Sequence, residues 1–137
     1  MLAVVTFATF ECAPYFLDRA AVAIVRTQFL RAAAENRCEI LTYGFVPDGV
    51  CLLIETCEAD AGADRAAFIS ASRRYSSRAF RVRTGRRLWD SGAADTILRD
   101  MQSASASARY VLSAPINGSF AWDRLEQLLH IRARRHA

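Results

Sequence analysis

A run of arginines is the feature of this 137-residue sequence with the clearest chemical meaning. Eight arginines and no acidic residue lie between Arg65 and Arg87. Tyr75, Phe80 and Trp89 lie within or beside this run. A guanidinium group is a planar fork that binds phosphate through two parallel hydrogen bonds, and aromatic rings can stack on nucleic-acid bases. The run therefore indicates contact with a nucleic-acid backbone, although a solvated helix face would show the same composition. The arginines that we expect to contact phosphate are Arg73, Arg74, Arg78, Arg81, Arg86 and Arg87.

The remaining reactive side chains do not form a recognisable metal-binding pattern. The four cysteines are widely spaced and include no Cys-x-x-Cys pair, and His130 and His136 lie in a basic segment near the end of the chain. A structural zinc site needs closely spaced pairs of ligands. We therefore expect reduced, mostly buried thiols. The cysteines are Cys12, Cys38, Cys51 and Cys57.

The composition is typical of a basic globular domain. The net charge is +4, every one of the 18 residues counted as lysine or arginine is arginine, and 53% of the residues are hydrophobic. This hydrophobic content excludes a disordered chain, and no apolar run is long enough to span a membrane. Because no basic residue precedes the first apolar stretch, we also expect a cytoplasmic location and no membrane partner.

The spacing of the apolar residues predicts the elements that position the arginines. Strands are predicted at 2–9, 38–46, 50–57 and 96–99. Helices are predicted at 19–36, 64–81, 100–113 and 122–134, with Asp18 as the cap of the first. The turn signal Pro47-Asp48-Gly49 joins the second and third strands in a hairpin. This order predicts an α+β, ferredoxin-like fold, in which two helices cover one face of an antiparallel sheet and an extra C-terminal helix follows.

Two helix stripes and a set of core residues are predicted to be buried. The first helix places Val22, Val25, Phe29 and Ala33 on one face. The second helix has apolar residues at helical spacing, with arginines on a different face. We expect Trp89 to be a structural plug. The predicted stripe of the second helix is Phe68, Ala71, Tyr75, Ala79 and Val82, and the predicted core residues are Val5, Phe7, Phe29, Phe45 and Leu53.

Three stretches of the sequence resemble the single-tyrosine transposases of the HUH superfamily, and in particular the REP-associated tyrosine transposases and insertion-sequence transposases. FVPDGVCLLIE at 45–55 resembles the family's hairpin pattern. FISASRRYSSRAFRVRTGRRLWDSGAADTILRD at 68–100 resembles its basic helix and the pattern that follows, and ARYVLSAPINGSF at 108–120 resembles its tyrosine motif. The resemblance implies a transposase-like HUH domain over 1–121, followed by a basic helix or tail over 122–137.

The resemblance also implies a chemistry. Proteins of this family bind hairpin-flanked, single-stranded DNA ends, and a tyrosine oxygen attacks a backbone phosphate to form a phosphotyrosine link. A divalent metal, held by two histidines of the hairpin strand and a polar side chain of the tyrosine helix, polarises that phosphate. Tyr110 matches the nucleophile, whereas Gly49, Cys51 and Ala114 occupy the three ligand positions. A thiolate suits zinc or copper(I) better than magnesium or manganese. The resemblance thus predicts a DNA-binding protein whose strand cleavage is lost or impaired, with no cofactor.

Two other interpretations stay open at this point. In one, the chain is an active transposase that binds magnesium or manganese through a rearranged set drawn from Asp48, Cys51, Glu55 and Asp95. In the other, it is a repurposed protein-interaction module, since the small residues of 103–108 could pack closely against a partner. A homodimer is compatible with all three interpretations.

Overall fold

The computed structural model describes residues 1–57 and 61–98, and for the last strand it describes the backbone only. The elements follow the order β1 (Leu2–Ala8), α1 (Arg19–Glu35), β2 (Cys38–Val46), β3 (Gly49–Thr56), α2 (Ala61–Thr84) and β4 (Ala94–Leu98). Two short 3-10 turns, Phe10–Cys12 and Tyr15–Leu17, lie between β1 and α1. The predicted helices at 100–113 and 122–134, and the boundary between 121 and 122, lie outside the described residues.

The four strands form one sheet in the order β2-β3-β1-β4. Every neighbouring pair is antiparallel, and β1 pairs with both β3 and β4. β1 and β2 are therefore separated by β3, as in the split β-α-β arrangement. This topology confirms the predicted α+β, ferredoxin-like fold.

The two helices share one hydrophobic core with the sheet. In β1, Val5 and Phe7 are buried while Thr6 is exposed, so the strand alternates between a core face and an opposite face. The predicted α1 stripe is buried, and the Asp18 carboxylate accepts a hydrogen bond from the Ala20 amide at 2.9 Å. All five predicted core residues are at most 2% exposed.

Helix α2 is longer than the sequence predicted. It begins at Ala61 rather than residue 64, and it continues past Arg81 to Thr84. Gly85 ends it in a left-handed conformation with φ of +71°, and the Gly85 amide donates to the Arg81 carbonyl at 2.7 Å. Glycine adopts this conformation without a steric penalty, which explains why the helix ends here.

The predicted α2 stripe is wrong at its C-terminal end. Phe68 and Ala71 are buried, but Tyr75 and Ala79 are half-buried and Val82 is 83% exposed. The core-facing side of the helix instead contains Ser72, Ser76 and Phe80, at four-residue spacing after Phe68. Because serine is small and its hydroxyl can bond within the helix, this face packs against the core without an apolar pattern. The Ser76 hydroxyl, for example, donates to the Ser72 carbonyl at 2.5 Å.

Trp89 is the structural plug that the sequence predicted. Its side chain is 2% exposed, and its ring centroid lies 5.2 Å from that of Phe7, 5.7 Å from that of Phe16 and 6.0 Å from that of Phe29. The indole N–H donates to the Ser76 hydroxyl at 2.8 Å, so the one polar atom of the ring is satisfied. Trp89 thereby anchors the segment that follows α2 in the core.

Candidate nucleic-acid interface

Helix α2 displays a row of exposed arginines, the first of which, Arg74, also lies 5.2 Å from the ring centroid of Tyr75. Arg74, Arg78 and Arg81 follow the i, i+4, i+7 spacing that keeps side chains on one side of a helix, and all three are exposed. Among the residues that the structure describes, the side chains of Arg78, Arg81, Arg83 and Arg86 form no hydrogen bond or ion pair. These groups are thus available for an anionic partner. Arg83 was missed as a candidate, although its place in the arginine run was the available signal.

Two of the predicted phosphate contacts are instead occupied within the protein. The Arg73 guanidinium donates to the Asp90 carbonyl, and Arg87 Nε donates to the Trp89 carbonyl at 3.1 Å. The Arg87 guanidinium also lies 4.4 Å from the ring centroid of Phe10. Both arginines therefore fasten the segment after α2 to the rest of the fold.

The aromatic residues of the run are not exposed for base stacking. Phe80 and Trp89 are each 2% exposed, so neither ring is open to a base. The stacking interpretation is therefore wrong for Phe80, whereas the burial of Trp89 agrees with the structural role expected for it. Tyr75 is half-buried, and the Arg31 guanidinium lies 3.9 Å from its ring centroid. The Tyr75 hydroxyl donates to Glu35, and this bond, with a smaller contribution from Arg31, holds the pKa of the Glu35 carboxyl below its usual value. Tyr75 therefore belongs to a network that joins α1 and α2.

The hairpin brings two of the positions that the resemblance matches to metal ligands onto one face of β3. Gly49 and Cys51 are two residues apart, and they alternate with the core-facing Val50 and Leu52. They therefore lie on the side of the sheet opposite the two helices. The turn is pinned in place, because the Thr9 amide donates to the Asp48 carbonyl and the Phe16 amide donates to the Pro47 carbonyl, each at 3.0 Å.

Position 49 has no room for a side chain. A Cβ atom built on Gly49 would lie 2.8 Å from the Phe7 carbonyl oxygen, and backbone atoms on the paired strand cannot move aside as a flexible side chain could. A histidine at this position would therefore clash before its ring could reach a metal ion. The residues here do not fit the divalent metal that the family resemblance implies.

Nor do neighbouring side chains supply a replacement site. Among the side chains that the structure describes, which do not include that of Asp95, no group of three or more histidine, cysteine, aspartate or glutamate residues could hold a metal ion. Burial raises the pKa of the Cys51 thiol to about 11, which favours the protonated, non-ligating form at neutral pH. Tyr110 and Ala114 lie outside the described residues.

The cysteines divide into two buried or half-buried thiols and two exposed ones. Cys38 is buried and Cys51 is half-buried, whereas Cys12 and Cys57 are exposed, so the expectation of mostly buried thiols is wrong for the last two. Burial, with smaller contributions from Asp64 and Glu39, raises the pKa of Cys38 to about 12. All four thiols are free, as expected.

This division predicts an order of alkylation. At pH 8, we expect iodoacetamide to modify Cys12 and Cys57 first, and Cys38 and Cys51 only on unfolding, because the thiolate is the reacting form. The raised pKa values of Cys38 and Cys51 favour the neutral form in the folded state. Their contribution to stability is thus present below the ordinary thiol pKa of 9.0 and lost as pH rises through about 11 for Cys51 and about 12 for Cys38. Peptide mass mapping after timed alkylation, with a urea-unfolded control, checks this order. Equal labelling of all four would contradict it.

The described residues adopt a tyrosine-transposase-like fold. No protein-family model matches the sequence, and no curated protein matches it. One similar solved structure is a candidate transposase from Deinococcus radiodurans R1, with a TM-score of 0.57 and 20% identity over 85% of this chain and 92% of that one. Another is a REP-associated tyrosine transposase bound to a REP hairpin, with a TM-score of 0.61 and 13% identity over 80% of this chain.

These similarities establish a shared fold. The chain spans 63% of the length of the hairpin-bound transposase. No helix in the described part of the chain is both long enough and apolar enough to cross a membrane.

Proposed function

We propose that this chain is a transposase-family DNA-binding protein that binds hairpin or single-stranded DNA and does not carry out metal-assisted strand cleavage. The observation that carries the proposal is the set of exposed, unpaired arginines on α2, in a fold shared with a transposase bound to a REP hairpin. Guanidinium groups that are not neutralised within the protein can displace counterions from a phosphate backbone.

The arginine contacts divide between fixing the fold and binding DNA. Arg73 and Arg87 hold the segment after α2, which in turn fixes the direction of the helix. Arg74, Arg78 and Arg81 present three positive charges along about two helical turns, and Arg86 lies just beyond the helix end. This spacing suits successive contacts to one phosphate backbone. Base identity is not read by these contacts, because phosphate contacts position a protein without specifying sequence.

The lack of space for a side chain at position 49 supports the proposed loss of strand cleavage. A phenol has a reference pKa of about 10, so a tyrosine nucleophile near neutral pH needs its target phosphate to be neutralised. A metal ion supplies this neutralisation in the family that the sequence resembles. Since the Gly49 backbone is packed against the Phe7 carbonyl, the hairpin offers no first ligand. Binding without cleavage is the function that these residues support best.

Salt-dependent binding tests whether the chain binds hairpin DNA through the arginines of α2. The full chain is titrated into a fluorescent DNA hairpin with single-stranded flanks, between about 50 and 200 mM salt. We expect the double variant Arg74→Gln/Arg81→Gln to lower the slope of log affinity against log salt by about 0.7 to 0.9 for each phosphate that is no longer neutralised. The matched control is Arg19→Gln/Arg26→Gln on α1, which removes the same charge from exposed positions. Equal slopes for the two double variants, or no hairpin binding at low salt, would overturn the proposal.

A covalent-adduct assay tests the proposed loss of strand cleavage. Single-stranded and hairpin DNA are incubated with the full chain and either magnesium or manganese, and the products are separated under denaturing conditions. We expect no protein–DNA adduct. A manganese-dependent adduct that disappears in Tyr110→Phe would show that the chain cleaves DNA, and it would favour the interpretation with a rearranged metal site.

A further inference from the structure

A groove between the outer faces of α1 and α2 shares Arg78, but not Arg74, Arg81 or Arg86, with the proposed DNA contacts. Its floor contains Ala23 and Ile24 of α1 and Ala79 and Val82 of α2, and it encloses about 810 Å³. From Ala20 to Arg31 the lining residues of α1 extend over about 16 Å. We call this surface the α1–α2 groove.

The groove floor exposes apolar side chains at helical spacing. Val82 is 83% exposed and follows the half-buried Tyr75 and Ala79 at i+7 and i+3, which is the pattern that predicted burial from the sequence. A second cavity of about 450 Å³ adjoins the groove, sharing Ala20 and Ile24, and is lined by Leu17, which is 66% exposed. Contiguous exposed apolar residues with polar edges are typical of an interaction surface.

The edges of the groove are positively charged. Arg78 and Arg83 lie along α2, and within the described part of the chain neither side chain has a hydrogen-bonding or ionic partner. On the α1 side, Arg31 pairs with Glu35 at 3.2 Å. The unpaired guanidinium groups favour an occupant that carries carboxylates beside an apolar stripe.

The charge and shape of the α1–α2 groove favour some occupants over others. A second copy of this chain, placed on the groove by a two-fold axis, would bring together two surfaces that both carry the positive charges of Arg78 and Arg83. The segment 122–137 has four arginines against two acidic residues, so its charge has the same sign as the groove edges. Single-stranded DNA would need flat rings on which to stack, whereas the floor is aliphatic and the one aromatic ring in the lining, Tyr75, is covered by Arg31.

We infer that the α1–α2 groove binds an amphipathic helix of a partner protein, with aliphatic side chains in the floor and aspartate or glutamate side chains against Arg78 and Arg83. The lining residues Ala20 and Ala23 of α1 are small, so a helix backbone can approach closely. Arg78 belongs to both surfaces, but Arg74 and Arg81 do not line the groove, so substitutions at those two positions separate DNA binding from helix binding.

A synthetic helix tests this inference with the full chain. The probe is a fluorescein-labelled 18-residue peptide with leucines at i, i+3, i+4 and i+7 and flanking glutamates, and the control is a scrambled peptide of the same composition. Binding is measured by fluorescence anisotropy at two salt concentrations. We expect the amphipathic peptide to bind at least tenfold more tightly than the scrambled one. We also expect Val82→Glu and Ala23→Glu, which change exposed lining residues on α2 and α1 respectively, each to weaken peptide binding at least tenfold.

The matched control is Arg74→Gln/Arg81→Gln, which should weaken hairpin binding while changing peptide affinity less than twofold. Equal affinity for the two peptides would mean that net charge alone accounts for binding, and it would overturn the inference. The absence of binding by the amphipathic peptide would also overturn it. Weaker hairpin binding by Val82→Glu and Ala23→Glu, with no peptide effect, would assign the groove to nucleic acid. Competition by a peptide of residues 122–137 would assign it to this chain's own C-terminal segment. Circular dichroism of each variant confirms that the fold is retained.

Discussion

Replacing Trp89 with alanine is expected to lower the free energy of unfolding by about 3 to 5 kcal/mol. The indole is 2% exposed and contacts Phe7, Phe16 and Phe29, so its removal leaves a cavity bounded by rings that cannot collapse into it. It also removes the donor to the Ser76 hydroxyl. Because Trp89 anchors the end of α2, we expect the arginine-bearing helix to lose its fixed direction as well.

Urea unfolding followed by circular dichroism measures this effect. Trp89→Phe serves as the control, because it keeps an aromatic ring in the core and loses only part of the volume and the indole N–H. We expect Trp89→Phe to retain most of the stability that the alanine variant loses. A decrease below about 1 kcal/mol for Trp89→Ala would mean that the indole does not anchor this segment.

Substituting Gly49 is expected to have the second-largest effect on stability. Gly49→Ala should lower the free energy of unfolding by about 1 to 3 kcal/mol, because its Cβ would approach the Phe7 carbonyl oxygen to 2.8 Å. The hydrogen bonds from Thr9 and Phe16 to the turn prevent the hairpin from shifting to relieve this contact. Gly49→His should be destabilised at least as strongly, and it should gain no affinity for manganese.

Gly62→Ala is the matched control for this substitution. A Cβ atom at Gly62 meets no atom within 4 Å, and the residue lies in the first turns of α2, where alanine favours the helix. We therefore expect no destabilisation from Gly62→Ala when the thermal unfolding of the Gly49 and Gly62 variants is compared by circular dichroism. A stable Gly49→His variant whose melting temperature rises with added manganese would show that the hairpin can accept a ligand and would contradict the proposed loss of cleavage.

The fold could be predicted from the sequence because its signals are local. The α1 stripe has a clean helical period, Asp18 is a strong helix cap, and Pro47-Asp48-Gly49 marks a tight turn, and the structure confirms each of these features. The orientation of α2 could not be predicted in the same way. Its core face contains Ser72 and Ser76. The Ser76 hydroxyl donates to the Ser72 carbonyl and accepts from the Trp89 indole, whereas the Ser72 hydroxyl is buried without a hydrogen-bond partner among the described residues. Apolar periodicity alone therefore places Val82 in the core, where the structure does not have it.

The arginines of the candidate site could be predicted from the sequence, but the role of each arginine could not. All six candidate arginines lie in one run of the sequence, yet Arg73 and Arg87 bind carbonyl groups of the segment that follows α2. These contacts depend on how the segment folds back, which includes the Tyr15 hydroxyl donating to the Arg87 carbonyl across 72 positions of the chain. Likewise, the sequence showed that position 49 lacks a ligand, but only the structure shows that the position is closed.

The closed position 49 has a consequence for how a chain with this fold can evolve. A substitution of Gly49 by histidine would weaken the native state at once, while under the proposed loss of cleavage any catalytic benefit would require further changes at positions 51 and 114. Natural selection would remove such an intermediate before the later changes arose. Gly49 therefore opposes a stepwise gain of the metal site. We expect descendants of this protein to diversify in what they bind rather than to acquire nuclease activity.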